Sequence, residues 1–217
     1  MESNEILSLL TEHYKLKGSL IPLAGELDLN YKLTIDNETA FIVKISRDPE
    51  TVASIAFQEA LLLHLKEKEI EGEVPQLIPN LSGTYQKEVF LNGEKAVLRV
   101  LQWMDGRLWS QTNPILSDLR HGLGNHLGNI AKSLQDFKHP FAQRSFEWDL
   151  SQCLWVENHL DLFNTAELEL IKPFITAFKA NQKTYNHLPK SVIHNDANDH
   201  NIIVSHALIH PKIIGLI

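Results

Sequence analysis

The chain has 217 residues, of which 43% are hydrophobic and 22% are charged. This is ordinary globular composition, and it excludes disordered and fibrous classes. A net charge of −7 without a basic stripe argues against nucleic acid and anionic membrane surfaces as partners. The one cysteine, Cys153, excludes an intramolecular disulfide, and no apolar run approaches the roughly 18 residues that span a bilayer. The N-terminus has no signal-peptide features, so we expect a cytoplasmic protein.

The N-terminal half is predicted to form a small antiparallel sheet of five strands. A helix at 3–16 precedes the sheet, and a strong helix at 50–68 is inserted between its third and fourth strands. Turn signals at Asp36-Asn37-Glu38 and at Asn92-Gly93 each join two strands in a hairpin. The predicted strands are 19–24, 29–35, 40–45, 84–91 and 95–103.

The C-terminal half is predicted to be mostly helical. Met104-Asp105-Gly106 forms a connector, and three short apolar segments follow the last helix. A mostly β half followed by a mostly helical half indicates an α+β fold of two lobes, 1–103 and 104–217, with a cleft between them. The predicted helices are 116–137, 149–163 and 165–185, and the apolar segments are 191–194, 201–204 and 212–217.

The polar loop 194–201, His-Asn-Asp-Ala-Asn-Asp-His-Asn, lies between two of these apolar segments. Asp196 as a general base with Asn201 as a hard oxygen ligand for Mg²⁺ would suit phosphoryl transfer. Alternatively, the two histidines with Asp196 and Asp199 would bind a transition metal, as in metallohydrolases. A polar loop without chemistry is the third possibility.

Residues far along the chain favour phosphoryl transfer. Lys44 ends an apolar strand, and Glu59 follows fifteen residues later within the first long helix. A strand lysine paired with a helix glutamate is how kinases direct a cation at the nucleotide phosphates.

These motifs resemble those of the aminoglycoside phosphotransferase and choline kinase family, which has the protein-kinase-like fold. The loop HNDANDHN is similar to the family's H-G-D-x-x-x-x-N, and the segment 123–134, LGNHLGNIAKSL, is similar to its L-G-x-x-L-A-x-L-H helix. The loop looks closest to the hydroxylysine kinase-like branch. The resemblance covers nearly the whole chain.

The resemblance implies a kinase that uses ATP and Mg²⁺ and acts on a small hydroxyl-bearing acceptor. Asp196 would be the catalytic base, Asn201 a Mg²⁺ ligand, and Lys44, held by Glu59, would contact the phosphates. The loop near Gly25 would cover the phosphates. Gln102, Trp103 and Met104 would form the hinge that holds adenine.

Two departures from the family pattern matter. Asn195 stands where the family has glycine, and Asn tolerates left-handed backbone angles. The segment 212–217 is similar to the family's I-D-x-G-D strand up to the residue before its second metal-binding Asp. We therefore expect a C-terminally truncated kinase of weak activity, with an exposed apolar face that favours self-association.

The acceptor stays open among amino alcohols, hydroxy amino acids and aminoglycosides. The alternative function is a non-catalytic nucleotide-binding module, or a fragment of a larger multidomain protein.

Overall fold

The computed structural model describes residues 2–25, 27–36, 38–70, 74–144 and 149–217. Asn37 of the predicted hairpin turn lies outside these ranges. The chain divides into two compact units, one of Met1–His139 with Val192–Ile217 and one of Pro140–Ser191. They do not coincide with the lobes 1–103 and 104–217, which stay a prediction. None of the helices in the described ranges has the length and apolar character needed to cross a bilayer.

The first unit contains a six-stranded antiparallel sheet. Five of its strands fall where the sequence predicts them; the short strand β4 was missed, so the predicted count of five strands is wrong by one. The order is β1-β2-β3-β6-β4, with β5 also paired to β6. The strands are β1 (Ser19–Leu23), β2 (Leu29–Ile35), β3 (Thr39–Ser46), β4 (Leu77–Ile78), β5 (Lys87–Leu91) and β6 (Glu94–Gln102).

Alternation along the central strands gives the sheet two different faces. Val43 and Ile45 of β3 are fully buried on one face, where they join Ile6 and Leu10 of helix α1 (Glu2–Tyr14) in one core. Lys44 lies between them in sequence and therefore projects from the opposite face. The sheet thus has an apolar face covered by α1 and a second face available for charged side chains.

Helix α2 (Pro49–Glu67) lies on the second face of the large sheet. Asp48 caps its N-terminus by accepting a hydrogen bond from the Thr51 backbone N–H at 2.8 Å. Near its other end, Leu65 is buried in a second core together with Ile130 and Leu216. The helix therefore connects the large sheet to the elements that carry the C-terminal loop.

A small sheet and helix α3 (Ser117–Ser133) complete the first unit. The sheet order is β7-β8-β9, where β7 is Arg107–Leu108, β8 is Ile202–Val204 and β9 is Ile213–Leu216. A side chain at Gly106 would place its Cβ 2.6 Å from the Val204 carbonyl oxygen, so glycine permits the close approach of β7 to β8. The apolar segment 191–194 forms neither a helix nor a strand.

The second unit contains helix α4 (Thr165–Asn186) and an irregular helical segment before it. Asn164 and Glu167 form a capping box at the start of α4. The segment Leu150–Leu162 consists of 3₁₀ turns with a kink at His159, rather than the regular helix predicted at 149–163. Asp149 caps this segment by accepting a hydrogen bond from the Ser151 N–H at 2.9 Å.

Candidate active site

The loop 194–201 leads from an extended segment into β8. Asn195 has a φ of 66°, the left-handed region that asparagine adopts more readily than most residues. Position 195, where the family has glycine, thus has the left-handed backbone conformation for which glycine is ordinarily used. The substitution preserves the loop conformation.

The carboxylate of Asp196 is exposed and held on both sides by amides. Its Oδ1 accepts a hydrogen bond from Asn198 Nδ2, and its Oδ2 accepts one from Asn201 Nδ2, both at 2.8 Å. Asn201 Nδ2 also donates to the Asp196 carbonyl oxygen at 2.8 Å. The structure therefore brings the predicted base and the predicted metal ligand together, and it fixes the direction of the carboxylate. A carboxylate has about four acceptor sites, so capacity remains for a further donor.

Asn201 is suited to act as an oxygen ligand for a cation. Its amide nitrogen is used by Asp196, and no described residue donates a hydrogen bond to its Oδ1. Its backbone carbonyl accepts from the Ile217 N–H at 2.9 Å, which places the end of β9 beside it. Amide and carboxylate oxygens are suitable ligands for Mg²⁺.

His194 supports the loop from a half-buried position. Its Nδ1 accepts a hydrogen bond from the Asp196 backbone N–H at 3.3 Å. Burial lowers the pKa of His194, while a hydrogen bond with the Ile217 backbone and the charge of Asp196 act in the opposite direction. The neutral ring is therefore favoured, as the accepting Nδ1 requires.

The transition-metal alternative is not supported. The described residues contain no group of three or more His, Cys, Asp or Glu side chains that could hold a metal ion together. His200 instead contacts Asp199 at 3.1 Å, and the Asp196 carboxylate is occupied by asparagine amides.

On the large sheet, Lys44 has a different partner from the predicted one. Its Nζ lies 3.3 Å from Asp28 Oδ2, whereas Glu59 accepts a hydrogen bond from Gln86 Nε2 at 3.3 Å. The described residues show no ion pair between Lys44 and Glu59. The predicted pair is thus not formed in this structure. Asp28 is close to Gly25 in sequence, whereas Glu59 lies on the separate helix α2.

The loop around Gly25 is tightly packed despite having only one glycine. A Cβ on Gly25 would lie 2.6 Å from the Asp28 carbonyl oxygen and would also overlap the Asn30 side-chain amide. That amide donates to the Ala24 carbonyl oxygen at 3.3 Å. Glycine is therefore required where the loop turns into β2.

The predicted hinge follows β6. The Gln102 N–H donates to the Gln76 carbonyl at 2.8 Å, and the Trp103 N–H donates to the Ala40 carbonyl at 3.3 Å. Met104, in contrast, has a backbone N–H without a hydrogen-bond partner in the described part of the chain. Of the three hinge amides, that of Met104 is the one without an acceptor among the described residues.

Known proteins that are similar to this chain indicate its family. The phosphotransferase enzyme family matches the chain over residues 19–217. The chain belongs to this family. The chain is similar to the hydroxylysine kinase of Bos taurus, with 26% identity over 222 residues, which are 91% of this chain and 57% of that protein. The chain thus spans little more than half the length of this relative.

Solved phosphotransferase structures confirm the predicted fold. An aminopropanol kinase associated with a microcompartment superposes with a TM-score of 0.68 at 19% identity, covering 97% of this chain and 67% of the other. Spectinomycin phosphotransferase, in complex with ADP and spectinomycin, gives a TM-score of 0.62 at 12% identity over 98% and 70% of the two chains. At such identities the likeness establishes the fold alone.

Three residues of this candidate site were not identified from the sequence. Asn198 holds the predicted base, and Asp28 and Arg99 surround Lys44. Asn198 lies inside the motif at a position that the motif leaves unspecified. Arg99 lies within an apolar strand directly opposite Lys44 in the β3–β6 ladder, and an arginine in an otherwise buried run was an available signal.

Proposed function

We propose that this chain carries the nucleotide-binding and catalytic-loop elements of a kinase that transfers the γ-phosphoryl group of ATP to a hydroxyl of a small metabolite. The observation that carries the proposal is the Asp196 carboxylate, oriented by Asn198 and Asn201 within the family's loop. The family match and the relatives named above support the same reaction class.

Asp196 is proposed to accept the proton of the acceptor hydroxyl. The hydroxyl oxygen then forms a bond to the γ-phosphorus while the bond from that phosphorus to the β-phosphate oxygen breaks, and ADP leaves. Such proton transfer contributes about 10²–10⁴-fold to the rate. The two amide hydrogen bonds leave acceptor capacity on the carboxylate for this proton.

The nucleotide is proposed to bind through four elements of the chain. Asn201 Oδ1 would be a ligand of Mg²⁺, which neutralises charge on the phosphates when it is bound. Lys44 would contact the phosphates, the loop around Gly25 would cover them, and the hinge of Gln102, Trp103 and Met104 would hold adenine. The Met104 N–H has no hydrogen-bond partner among the described residues, which supports this place for adenine.

The acceptor is proposed to be an amino alcohol, a hydroxy amino acid or an aminoglycoside. The relatives named above are a hydroxylysine kinase, an aminopropanol kinase and a spectinomycin phosphotransferase. The first two names each specify a compound that bears both an amine and a hydroxyl group. Hydroxylysine and 1-amino-2-propanol are therefore the first compounds to test.

The test combines nucleotide binding with turnover. A ligand that binds only the folded state stabilises it by about 2.7 kcal/mol at one hundred times its Kd. We expect Mg·ATP to raise the Tm of the wild-type chain and to do so less for Lys44→Met. With an accepted compound, ADP release should fall by about 10²–10⁴-fold in Asp196→Asn.

Binding without turnover would favour the alternative, a non-catalytic nucleotide-binding module. The chain spans 57% of the bovine relative, so weak turnover by the 217 residues is also consistent with the proposal. ADP release that persists undiminished in Asp196→Asn would contradict the role of the loop.

A further inference from the structure

A buried cluster of charges surrounds Lys44. The side chain of Arg99 lies directly opposite Lys44 in the β3–β6 ladder, so both project from the face of the sheet that α1 does not cover. Asp28 Oδ2 is shared by the two cations, at 3.2 Å from Arg99 Nη2 and 3.3 Å from Lys44 Nζ. Asp28 Oδ1 accepts a hydrogen bond from Ser46 Oγ at 2.6 Å. A single carboxylate therefore holds two positive charges.

The members of this cluster differ in how far they can move. The side chains of Arg99 and Asp28 are 4% and 9% exposed, whereas that of Lys44 is 32% exposed. Arg99 is further fixed by Gln58 Oε1, which accepts from its Nη1 at 2.8 Å. The fixed part of the cluster thus consists of Arg99, Asp28 and Ser46. Lys44 is the member whose side chain can reach a ligand.

We infer that Asp28, fixed by Arg99 and Ser46, is the counter-ion that positions Lys44 for the nucleotide phosphates, in the place that the sequence assigns to Glu59. The inference rests on the proposed function, since it concerns the same phosphate site. Asp28 is a positioning residue, because it acts through Lys44.

Helix α2 is joined to this cluster by a different residue from the predicted one. Gln58 contacts Arg99, while Glu59 contacts Gln86. The direct contact between α2 and the charged cluster is therefore made by a neutral amide. The charge of Glu59 also acts on Arg99, but no described contact joins Glu59 to Lys44. The negative charge comes from the segment between Gly25 and β2 instead.

The position of Asp28 links Lys44 to the loop that would cover the phosphates. Its backbone carbonyl packs against Gly25, and its carboxylate holds Lys44. Lys44 and Arg99 share the one carboxylate that contacts them both, and the Lys44 side chain is exposed enough for a phosphate group to contact it as well. The loop that would cover the phosphates would therefore already be anchored when Lys44 binds a phosphate.

The protonation of Lys44 depends on the same neighbours. Burial lowers the pKa of Lys44, the charge of Asp28 raises it, and the charge of Arg99 lowers it. Neutralising Asp28 should therefore lower the Lys44 pKa further. The ammonium form of Lys44 is the one that attracts phosphate. As the pH is raised, the affinity for Mg·ATP should therefore begin to fall at a lower pH in the variant without the Asp28 charge than in the wild type.

The experiment is a calorimetric titration of Mg·ATP into the chain across a series of alkaline pH values. We expect Asp28→Asn to raise the Kd about tenfold or more and to move the alkaline loss of affinity to lower pH. Glu59→Gln should raise the Kd less than Asp28→Asn does. Glu88→Gln is the matched control, because it removes an exposed carboxylate that pairs with Lys95 at 2.8 Å on the same sheet.

The outcomes separate this inference from the proposed function. A wild-type chain that does not bind Mg·ATP overturns both. A wild-type chain that binds, with Asp28→Asn matching Glu88→Gln or with Glu59→Gln the more damaging, overturns the inference alone. An unshifted pH profile in a weakened Asp28→Asn also overturns it, since a merely structural role would not move that profile.

Asp28→Asn leaves Arg99 poorly compensated and could prevent folding, so a second variant is needed. Ser46→Ala removes the hydrogen bond that fixes the Asp28 carboxylate without removing a charge. It should fold and bind Mg·ATP a few-fold more weakly than the wild type. Unchanged affinity in folded Ser46→Ala would overturn the inference.

Discussion

Gly25 is required by its neighbours rather than by its own backbone angles. A methyl group there would overlap the Asn30 amide and lie 2.6 Å from the Asp28 carbonyl oxygen. We expect Gly25→Ala to displace the segment that carries Asp28, which would lower both the Tm and the affinity for Mg·ATP, as measured by thermal unfolding and calorimetry.

Gly124 offers the matched control for this substitution. It lies in α3 with no atom near the place of an added Cβ. Gly124→Ala should stabilise the chain by up to about 1 kcal/mol, since alanine favours a helix over glycine. Equal effects of the two substitutions would contradict the tight packing around Gly25.

His194 predicts a pH dependence of stability. Its pKa in the folded chain is lowered from the ordinary value of 6.5 by burial, so the unfolded chain binds its proton first as the pH falls. The free energy of unfolding should therefore decrease as the pH falls below about 6.5, with a slope of at most about 1.4 kcal/mol per pH unit from this group.

Urea unfolding at several pH values measures that slope. His194→Gln should reduce it, whereas His200→Gln changes an exposed histidine of the same loop and serves as the control. The same slope in the wild type and in His194→Gln would contradict a buried, neutral His194.

The sequence predicts the loop residues better than it predicts their partners. Asp196 and Asn201 are five positions apart in one motif, and a single loop brings them together. Asp28 and Glu59 are almost equally far from Lys44 in sequence, 16 and 15 positions away, so sequence separation does not choose between them. Which carboxylate Lys44 meets depends on the β2–β3 register and on the buried Arg99, neither of which the kinase pattern specifies.

At the scale of elements, helix α2 depends on its N-terminal cap. Asp48 accepts hydrogen bonds from both the backbone N–H and the hydroxyl of Thr51, at 2.8 and 3.0 Å. We expect Asp48→Ala to lower the free energy of unfolding by about 1 kcal/mol, measured by urea titration. Glu12→Ala, an exposed acid on α1, should change it by less than about 0.5 kcal/mol.

A loss in Asp48→Ala no larger than that in Glu12→Ala would mean that the cap contributes nothing measurable. Because α2 carries Gln58 to Arg99, a genuine loss should be accompanied by weaker binding of Mg·ATP. This second measurement tests whether the helix supports the charged cluster.

Most ends of the long elements were predicted within one or two residues. The two-residue strands β4 and β7 carry too little pattern to be recognised, and they form because β6 and β8 present unpaired edges to them. The segment Leu150–Leu162 has apolar residues without a clear helical period, and it forms 3₁₀ turns. The sequence thus predicts elements with their own pattern and misses those formed by tertiary pairing.

At the scale of the whole molecule, the unit Pro140–Ser191 has a large exposed apolar surface. Leu170 and Phe174, one turn apart on α4, are 71% and 75% exposed, and Leu150 and Leu162 are similarly accessible. Exposed patches of this kind favour association. We expect the apparent mass of the chain to rise with concentration in size-exclusion chromatography with light scattering.

The double substitution Leu170→Gln with Phe174→Gln should reduce this concentration dependence, because it removes two adjacent apolar side chains from the same helix face. Glu169→Gln with Lys172→Gln is the matched control, since both residues are exposed on α4 and the net charge is conserved. If the control reduced association equally, charge rather than apolar contact would be responsible. A wild-type chain that stays monomeric at every concentration would contradict the prediction.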